Sequence, residues 1–401
     1  MFRTMDTPMK TDNDFSQPID RHNTYCTQWD FVQDRFGEAD LLPFTISDMD
    51  FATAPPIIEA MIKRTQHGVF GYSRWQHNDF LSAIQCWFKK CFHHEIQTSQ
   101  VVYGPSVIYM VSQLICQWSN PGEGIVVHTP AYDAFFKTIE GNQRRVRPCP
   151  LIRQDEKWVC DMKQLETLLA EPTTRILLLC SPHNPTGKVW SEEELSIMAE
   201  LCKRHNVRVI SDEIHMDLCW GEAKHIPWSA IGTEPYALFT SASKSFNVPA
   251  LTGAYGIIND TAAREAYFNK LKVCDGLSSP AIFAVIAHIV AYTECDDWFK
   301  QLRAYLFDNL NYVKDRLAAE LPKLTWQIPE STYLAWIDIS PLNIDEKELQ
   351  SRLIHQEKVA IMPGATYGDE GRSYIRFNVG CSRVKLADGL DRFIRAIKSF
   401  K

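Results

Sequence analysis

Long apolar runs are missing from this 401-residue chain. The longest, over 280–292, is interrupted by His288 and is too short to cross a bilayer. Basic surplus is missing too. Lys and Arg number 42 against 49 Asp and Glu, a net charge of −7, which argues against general affinity for phosphate backbones. The opening stretch 1–20 mixes Arg, Lys and Asp without an apolar core and does not read as a signal peptide. Twelve cysteines are present, but none forms a CxxC pair, and the nearest two, Cys86 and Cys91, have four residues between them. Scattered in this way they read as small buried hydrophobes in a reducing, cytoplasmic setting, and no metal centre is expected. Internal repeats, low-complexity tracts and Pro/Gly linkers are absent as well.

What remains is the composition of a globular protein, 45% hydrophobic and 23% charged, with little disorder expected beyond the first dozen positions. The length calls for two or more domains. Four stretches, 124–128, 175–180, 207–211 and 237–240, are apolar nearly throughout, as strands are when helices cover both faces of a sheet. Between the second and third, Ser191 and Glu194 form a capping box ahead of Leu195, Met198, Leu201 and Cys202. This strand–helix–strand rhythm predicts a mostly parallel sheet in an α/β domain. The last hundred residues differ. A long amphipathic helix over 298–321 precedes short strands at 324–328, 333–338, 359–362 and 374–378, then a closing helix over 385–400. An α+β domain is expected there, with the boundary near residue 295.

Four local features fall at the carboxyl ends of strands, where open α/β sheets bind ligands. Ser181-Pro182-His183-Asn184-Pro185-Thr186-Gly187 is a stiff turn that can aim Asn184, although ordinary strand-to-helix loops look similar. Asp212 ends a buried strand, where an acid needs a partner such as a protonated ring nitrogen. A helix cap or a surface ion pair is the commoner role for such a residue. Lys244 follows Ser241-Ala242-Ser243; a lysine drawn into a partly buried site can have a lowered pKa and form a Schiff base, whereas an isolated lysine is usually solvated. Gly104-Pro105-Ser106 opens an apolar helix whose first amides, with Val107 and Ile108, suit a phosphate, although most such helix starts are structural.

Each signal is modest, but their order is informative. Phosphate turn, aromatic, Asn, Asp and Lys follow one another on separate strand ends, and in this the chain resembles the fold-type I pyridoxal-phosphate enzymes, the aspartate aminotransferase superfamily. DLLPFTISDMDFATAP, HGVFGYSRW, VVYGPSVIYMVS, HTPAYDAF, CSPHNPTGKVW, VISDEIHMD, SKSFNVPALTGAYG, STYLAWID and EKVAIMPG are specifically similar to the MalY/PatB cystathionine β-lyases, and most of all to the enterobacterial maltose-regulon modulators among them. Only the residues up to about position 14 look like an extra leader, for which an upstream start codon would account, since Met5 and Met9 also lie there.

The resemblance implies a large cofactor-binding domain over 51–294, with a mostly parallel seven-stranded sheet between helices. A smaller α+β domain over 295–401 would be joined by the segment 1–50. Pyridoxal 5'-phosphate would be held covalently by Lys244, with Asp212 on the ring nitrogen, Asn184 on the phenolic oxygen and Tyr132 against the ring face. Ser106, Val107, Ile108, Ser241 and Ser243 would meet the phosphate, joined by Tyr72 from the neighbouring subunit of a homodimer. Arg376 would clamp the substrate carboxylate, with Asn184 beside it. Two positions depart from the superfamily pattern. Thr252 stands eight residues after Lys244, where aspartate aminotransferases place a phosphate-binding arginine, and His215 stands where many relatives have a tyrosine. The implied reaction is β-elimination from cystathionine or cystine. The motifs alone leave transamination of aromatic or other neutral amino acids open. A third role, of another class, is restraint of a maltose-gene transcriptional activator. Without a helix-turn-helix or basic stripe, that role would act through protein contact rather than DNA.

Overall fold

The computed structural model describes residues 13–400. The leader expected at the start of the chain lies, through residue 12, outside the described residues.

Twelve strands run in chain order as β1 Leu42–Phe44, β2 Val101–Gly104, β3 Gly124–Thr129, β4 Arg145–Gln154, β5 Lys157–Cys160, β6 Thr174–Cys180, β7 Arg208–Asp212, β8 Tyr236–Thr240, β9 Ala254–Ile258, β10 Leu334–Asp338, β11 Val359–Pro363 and β12 Tyr374–Asn378. Eight of them form one sheet in the order β2-β9-β8-β7-β6-β3-β4-β5. Its centre, β4-β3-β6-β7-β8, is parallel throughout, and β9 runs against both of its neighbours. The sheet has one strand more than the expected seven, because β4 continues past its parallel pairing with β3 and turns back as a hairpin with β5. The four central apolar stretches are the strands read from sequence, and every residue of β3 and β8 is buried. The helix Glu192–Arg204 begins with the capping box on Ser191 and Glu194.

The second sheet, β1-β11-β12-β10, joins both ends of the chain. β1 pairs in parallel with β11, and β12 lies antiparallel to both β11 and β10. Arg21 binds Asp48 and Asp50, and Lys385 also reaches Asp50, which pins the early segment to the closing helix Arg383–Lys398. The helices Ile282–Glu294 and Asp296–Glu320 meet at Cys295.

The strand expected over 324–328 does not form. The segment touches β10 through the Trp326 indole, which donates to Trp336 O at 2.8 Å, a side-chain bond in place of a backbone ladder. Pro322 and Pro329 flank it, each without an N–H to offer.

Candidate active site

The loop after β6 is held against the start of the second sheet. Gly187 has φ of +70°, and a Cβ there would sit 2.4 Å from Pro329 Cβ, so only glycine allows this approach. Ser331 Oγ donates to Gly187 O at 2.8 Å, and the Val189 amide donates to Glu330 at 2.9 Å. The loop is thus fixed at both sides and presents Asn184, which is 4% exposed.

At the end of β7, Asp212 is also 4% exposed. It accepts a hydrogen bond from the Ile214 amide at 3.1 Å. Burial pushes its carboxyl up to about 7, against smaller lowering effects from that amide and from the charge of Lys244. After β8 the chain turns through Ser241 and Ser243 to Lys244, whose amine donates to Ser47 O at 2.7 Å and to Ser47 Oγ at 3.1 Å. Burial lowers that amine to about 8. Ser47 is itself braced, since Tyr333 Oη donates to its carbonyl at 2.8 Å. Asn247 accepts from the Met49 amide and donates to the carbonyls of Met49 and Phe51, tying the segment after Ser47 to the lysine loop.

Ser106 caps the helix Val107–Trp118, its hydroxyl accepting from the Tyr109 amide at 3.1 Å. The first amides of such a helix have no acceptor within it. Ser241 Oγ donates to Gly253 O at 2.7 Å and accepts from the Ser243 amide at 3.1 Å. Its proton is therefore committed within the loop.

These residues line one cleft of about 190 Å³, which brings together Ser106, Val107, Ile108, Tyr132, Asn184, Asp212, His215, Ser241, Ser243, Lys244 and Thr252. Thr252 has a left-handed backbone, φ +42°. His215 is buried with its Nδ1 unpartnered, and burial, followed by the charge of Lys244, lowers it to about 3, so the ring is neutral. Arg376 reaches toward the cleft from the middle of β12. Its Nη1 donates to Asn184 Oδ1 at 3.2 Å and its Nη2 to Thr45 O at 2.7 Å. Its Nε is buried without a partner, and the guanidinium lies 4.7 Å from the centre of the Tyr367 ring. Tyr72 lies elsewhere, fully exposed in a separate cleft with Arg74 and Lys272. Of the aromatic residues around it, Trp75 packs inward against Tyr103 and Phe268, while Phe70 is 56% exposed.

An amine, an acid and a neutral imidazole face one another across a cleft capped by a helix start. The chain belongs to the class I and II aminotransferase family. That family matches residues 39–393. The chain is 62% identical to Protein MalY of Escherichia coli (strain K12), covering 97% of this chain and all of that protein. It is 34% identical to cystathionine beta-lyase PatB of Bacillus subtilis (strain 168), over 96% of this chain and 99% of that one. Among solved structures it matches cystalysin of Treponema denticola, which contains pyridoxal 5'-phosphate, with a TM-score of 0.92 and 28% identity. That match covers 97% of this chain and all of the other. A pyridoxal-phosphate-bound C-S lyase from Staphylococcus hominis matches with a TM-score of 0.91 and 26% identity, over 96% of this chain and 98% of the other.

Sequence reasoning assigned no role to Ser47, Thr45, Tyr333 or Tyr367. Ser47 and Thr45 lie in a quoted motif, DLLPFTISDMDFATAP, and Tyr333 lies in STYLAWID. Their proximity to the lysine and the arginine arises only when the second sheet docks.

Proposed function

We propose that this chain is a pyridoxal-phosphate-dependent carbon–sulfur β-lyase that cleaves cystathionine, with water, to homocysteine, pyruvate and ammonia. The observation that carries the reading is the cleft itself: Lys244, with its amine lowered to about 8, faces Asp212, a buried acid with room for a cationic partner. The names of relatives at 34% identity and of structural neighbours favour elimination over amino transfer.

The donor set fits the cofactor. Asp212 would bind the ring nitrogen, the Val107 and Ile108 amides with Ser106 and Ser243 would bind the phosphate, and Tyr132 would cover the ring. With no arginine at Thr252, the phosphate site relies on amides, hydroxyls and the helix terminus. Ser241 serves chiefly by holding the Ser243 amide in place. Bound pyridoxal phosphate supplies an electron sink for negative charge arising at the substrate α-carbon. Arg376, already oriented by Asn184 and Thr45, binds the α-carboxylate through its spare Nε donor. Lys244 removes the α-proton, and a β-thiolate leaves. Neutral His215 places no positive charge beside the amine that must accept that proton.

The active unit is a homodimer in which Tyr72 completes the neighbour's phosphate site. Ile62, Val69, Phe70 and Tyr72 are exposed on neighbouring stretches of chain, and Ile62 also lines an apolar groove of about 670 Å³ with Met49, Phe51 and Met61. Mixing a Tyr72→Phe variant that is inactive alone with Lys244→Ala under subunit exchange should restore a fraction of wild-type activity. No recovery would place both residues in one subunit's site. Residues 51–294 would form the cofactor domain, and the two ends of the chain, described over 13–50 and 295–400, the smaller one. No helix among the described residues is long and apolar enough to cross a membrane, and the scattered free thiols support a cytoplasmic setting. The resemblance to maltose-regulon modulators also supports restraint of a transcriptional activator through protein contact, which a pull-down with that activator tests.

The reaction is tested with cystathionine alone and with an added 2-oxo acid. Pyruvate and thiol released without an acceptor are expected; keto-acid formation that requires the acceptor would make the chain a transaminase.

A further inference from the structure

Two thiols and an imidazole converge on one face of the large sheet, outside the cleft. His128 on β3 sits opposite Cys149 on β4 in the parallel ladder, and Leu151 on β4 sits opposite Cys160 on β5. Residues two apart on a strand share a face, so His128, Cys149 and Cys160 all point the same way. One ligand atom from each lies within 4.8 Å of the others. His128 is 1% exposed, and its ring nitrogens meet no oxygen or nitrogen partner, only the weakly hydrogen-bonding thiol of Cys160. Thiols are weak donors and acceptors, so a buried imidazole whose partner is a thiol is poorly satisfied, and its place beside two sulfurs calls for an explanation.

We propose that His128, Cys149 and Cys160 form a binding site for a thiophilic monovalent cation, Cu(I). The donor chemistry selects the ion. Structural zinc sites close with four ligands, whereas no fourth His, Cys, Asp or Glu joins this group among the described residues. Thiolate ligands favour soft ions such as Cu(I), for which two sulfurs and one nitrogen make a complete set. The Trp190 ring packs 4.7 Å from that of His128 and Cys149 is fully buried, leaving a packed site rather than an open coordination position. Cys160 is half-buried on the edge strand β5 and gives the ion its way in. Binding exchanges one Cu(I) for the two thiol protons and transfers no electrons. None of the three residues lines the cleft proposed for the cofactor, so the site is independent of the lyase reading.

The test uses the cofactor-loaded protein with its four exposed cysteines, Cys86, Cys91, Cys116 and Cys274, replaced by serine. It is titrated anaerobically with Cu(I) buffered by a chromophoric chelator. One Cu(I) per chain is expected, with a copper K-edge spectrum showing sulfur and nitrogen donors. Cys160→Ser and His128→Asn should each weaken binding at least about tenfold, and His128→Asn should remove the nitrogen signal. Cys149→Ser replaces a fully buried thiol and is read only if circular dichroism shows it folded; Cys160→Ser, at a half-buried position, keeps the test decisive. No Cu(I) uptake in this background, or uptake unchanged in both Cys160→Ser and His128→Asn, overturns the proposal.

Discussion

Three acids, Asp212 at the end of β7 and Glu213 and Asp217 after it, lie within six residues of one another, and all are buried, yet they are treated differently. Glu213 accepts from Ser211 Oγ, the Trp228 amide and His225 Nε2, at 2.7–2.8 Å. Asp217 accepts from Ser245 Oγ at 2.6 Å and from Trp87 Nε1 at 2.9 Å. Asp212 accepts from one backbone amide. Burial raises the carboxyls of both Asp212 and Asp217, the former to about 7. A buried carboxylate is tolerable when donors replace its lost water. Two of these acids have such donors built in and fasten the loop. The third has been left short of them, as its proposed role on the cofactor's ring nitrogen requires.

The contrast can be broken most sharply at the amine whose charge faces Asp212. Lys244→Ala should lower pyruvate release from cystathionine by at least about ten-thousandfold. Turnover near wild type would remove the chemistry that the under-partnered acid is supposed to serve. Asp212→Ala should lower the rate roughly a hundredfold or more while retaining much of the cofactor, since its charge acts on the transition state. A loss smaller than about threefold would deny it the ring nitrogen.

Stability should sort the same acids in the opposite order. Asp217→Ala leaves two buried donors idle and should cost about 2–4 kcal/mol in urea unfolding of the cofactor-free protein. Asp212→Ala should cost less than about 1 kcal/mol. Equal costs would erase the distinction. The finest test is pH. A folded carboxyl held at about 7, against an unfolded value of 3.8, binds its proton more tightly in the native state. Its stabilising contribution is complete below pH 3.8 and is lost as pH rises through 7, at about 1.4 kcal/mol per pH unit within that window. Cofactor-free Asp212→Asn should therefore gain on the parent protein from pH 4 to 7. A constant difference between the two across that range would argue against the raised value.

Much of this is legible in the sequence. The central strands announced themselves because a parallel strand covered on both faces is apolar throughout, and Ser191 with Glu194 marked a helix start by local chemistry alone. Asn184, Asp212 and Lys244 stood out because each ends or follows such a strand. What was not visible depends on distant segments meeting. Ser47 beside Lys244, and Tyr333 beside Ser47, are separated by 197 and 286 positions. The β4–β5 hairpin is not legible in the sequence because β4 mixes arginines and prolines with its apolar residues and β5 has only four residues, and the meeting of His128, Cys149 and Cys160 depends on that hairpin. The segment 324–328 has the apolar content of a strand, but a strand also needs a partner edge, which composition does not report.

The hydrogen bond from Arg376 to Asn184 joins the two halves of the reaction's recognition. One amide, that of Asn184, stands between the guanidinium proposed to hold the substrate's carboxylate and the cofactor's phenolic oxygen, which the resemblance gives to Asn184. Linkage then runs both ways: a simple carboxylate ligand that draws on Arg376 should shift the cofactor's absorbance, and the protonation of the ring system should change that ligand's affinity by the same factor. The site would sense that an amino acid has arrived before any bond in it is broken.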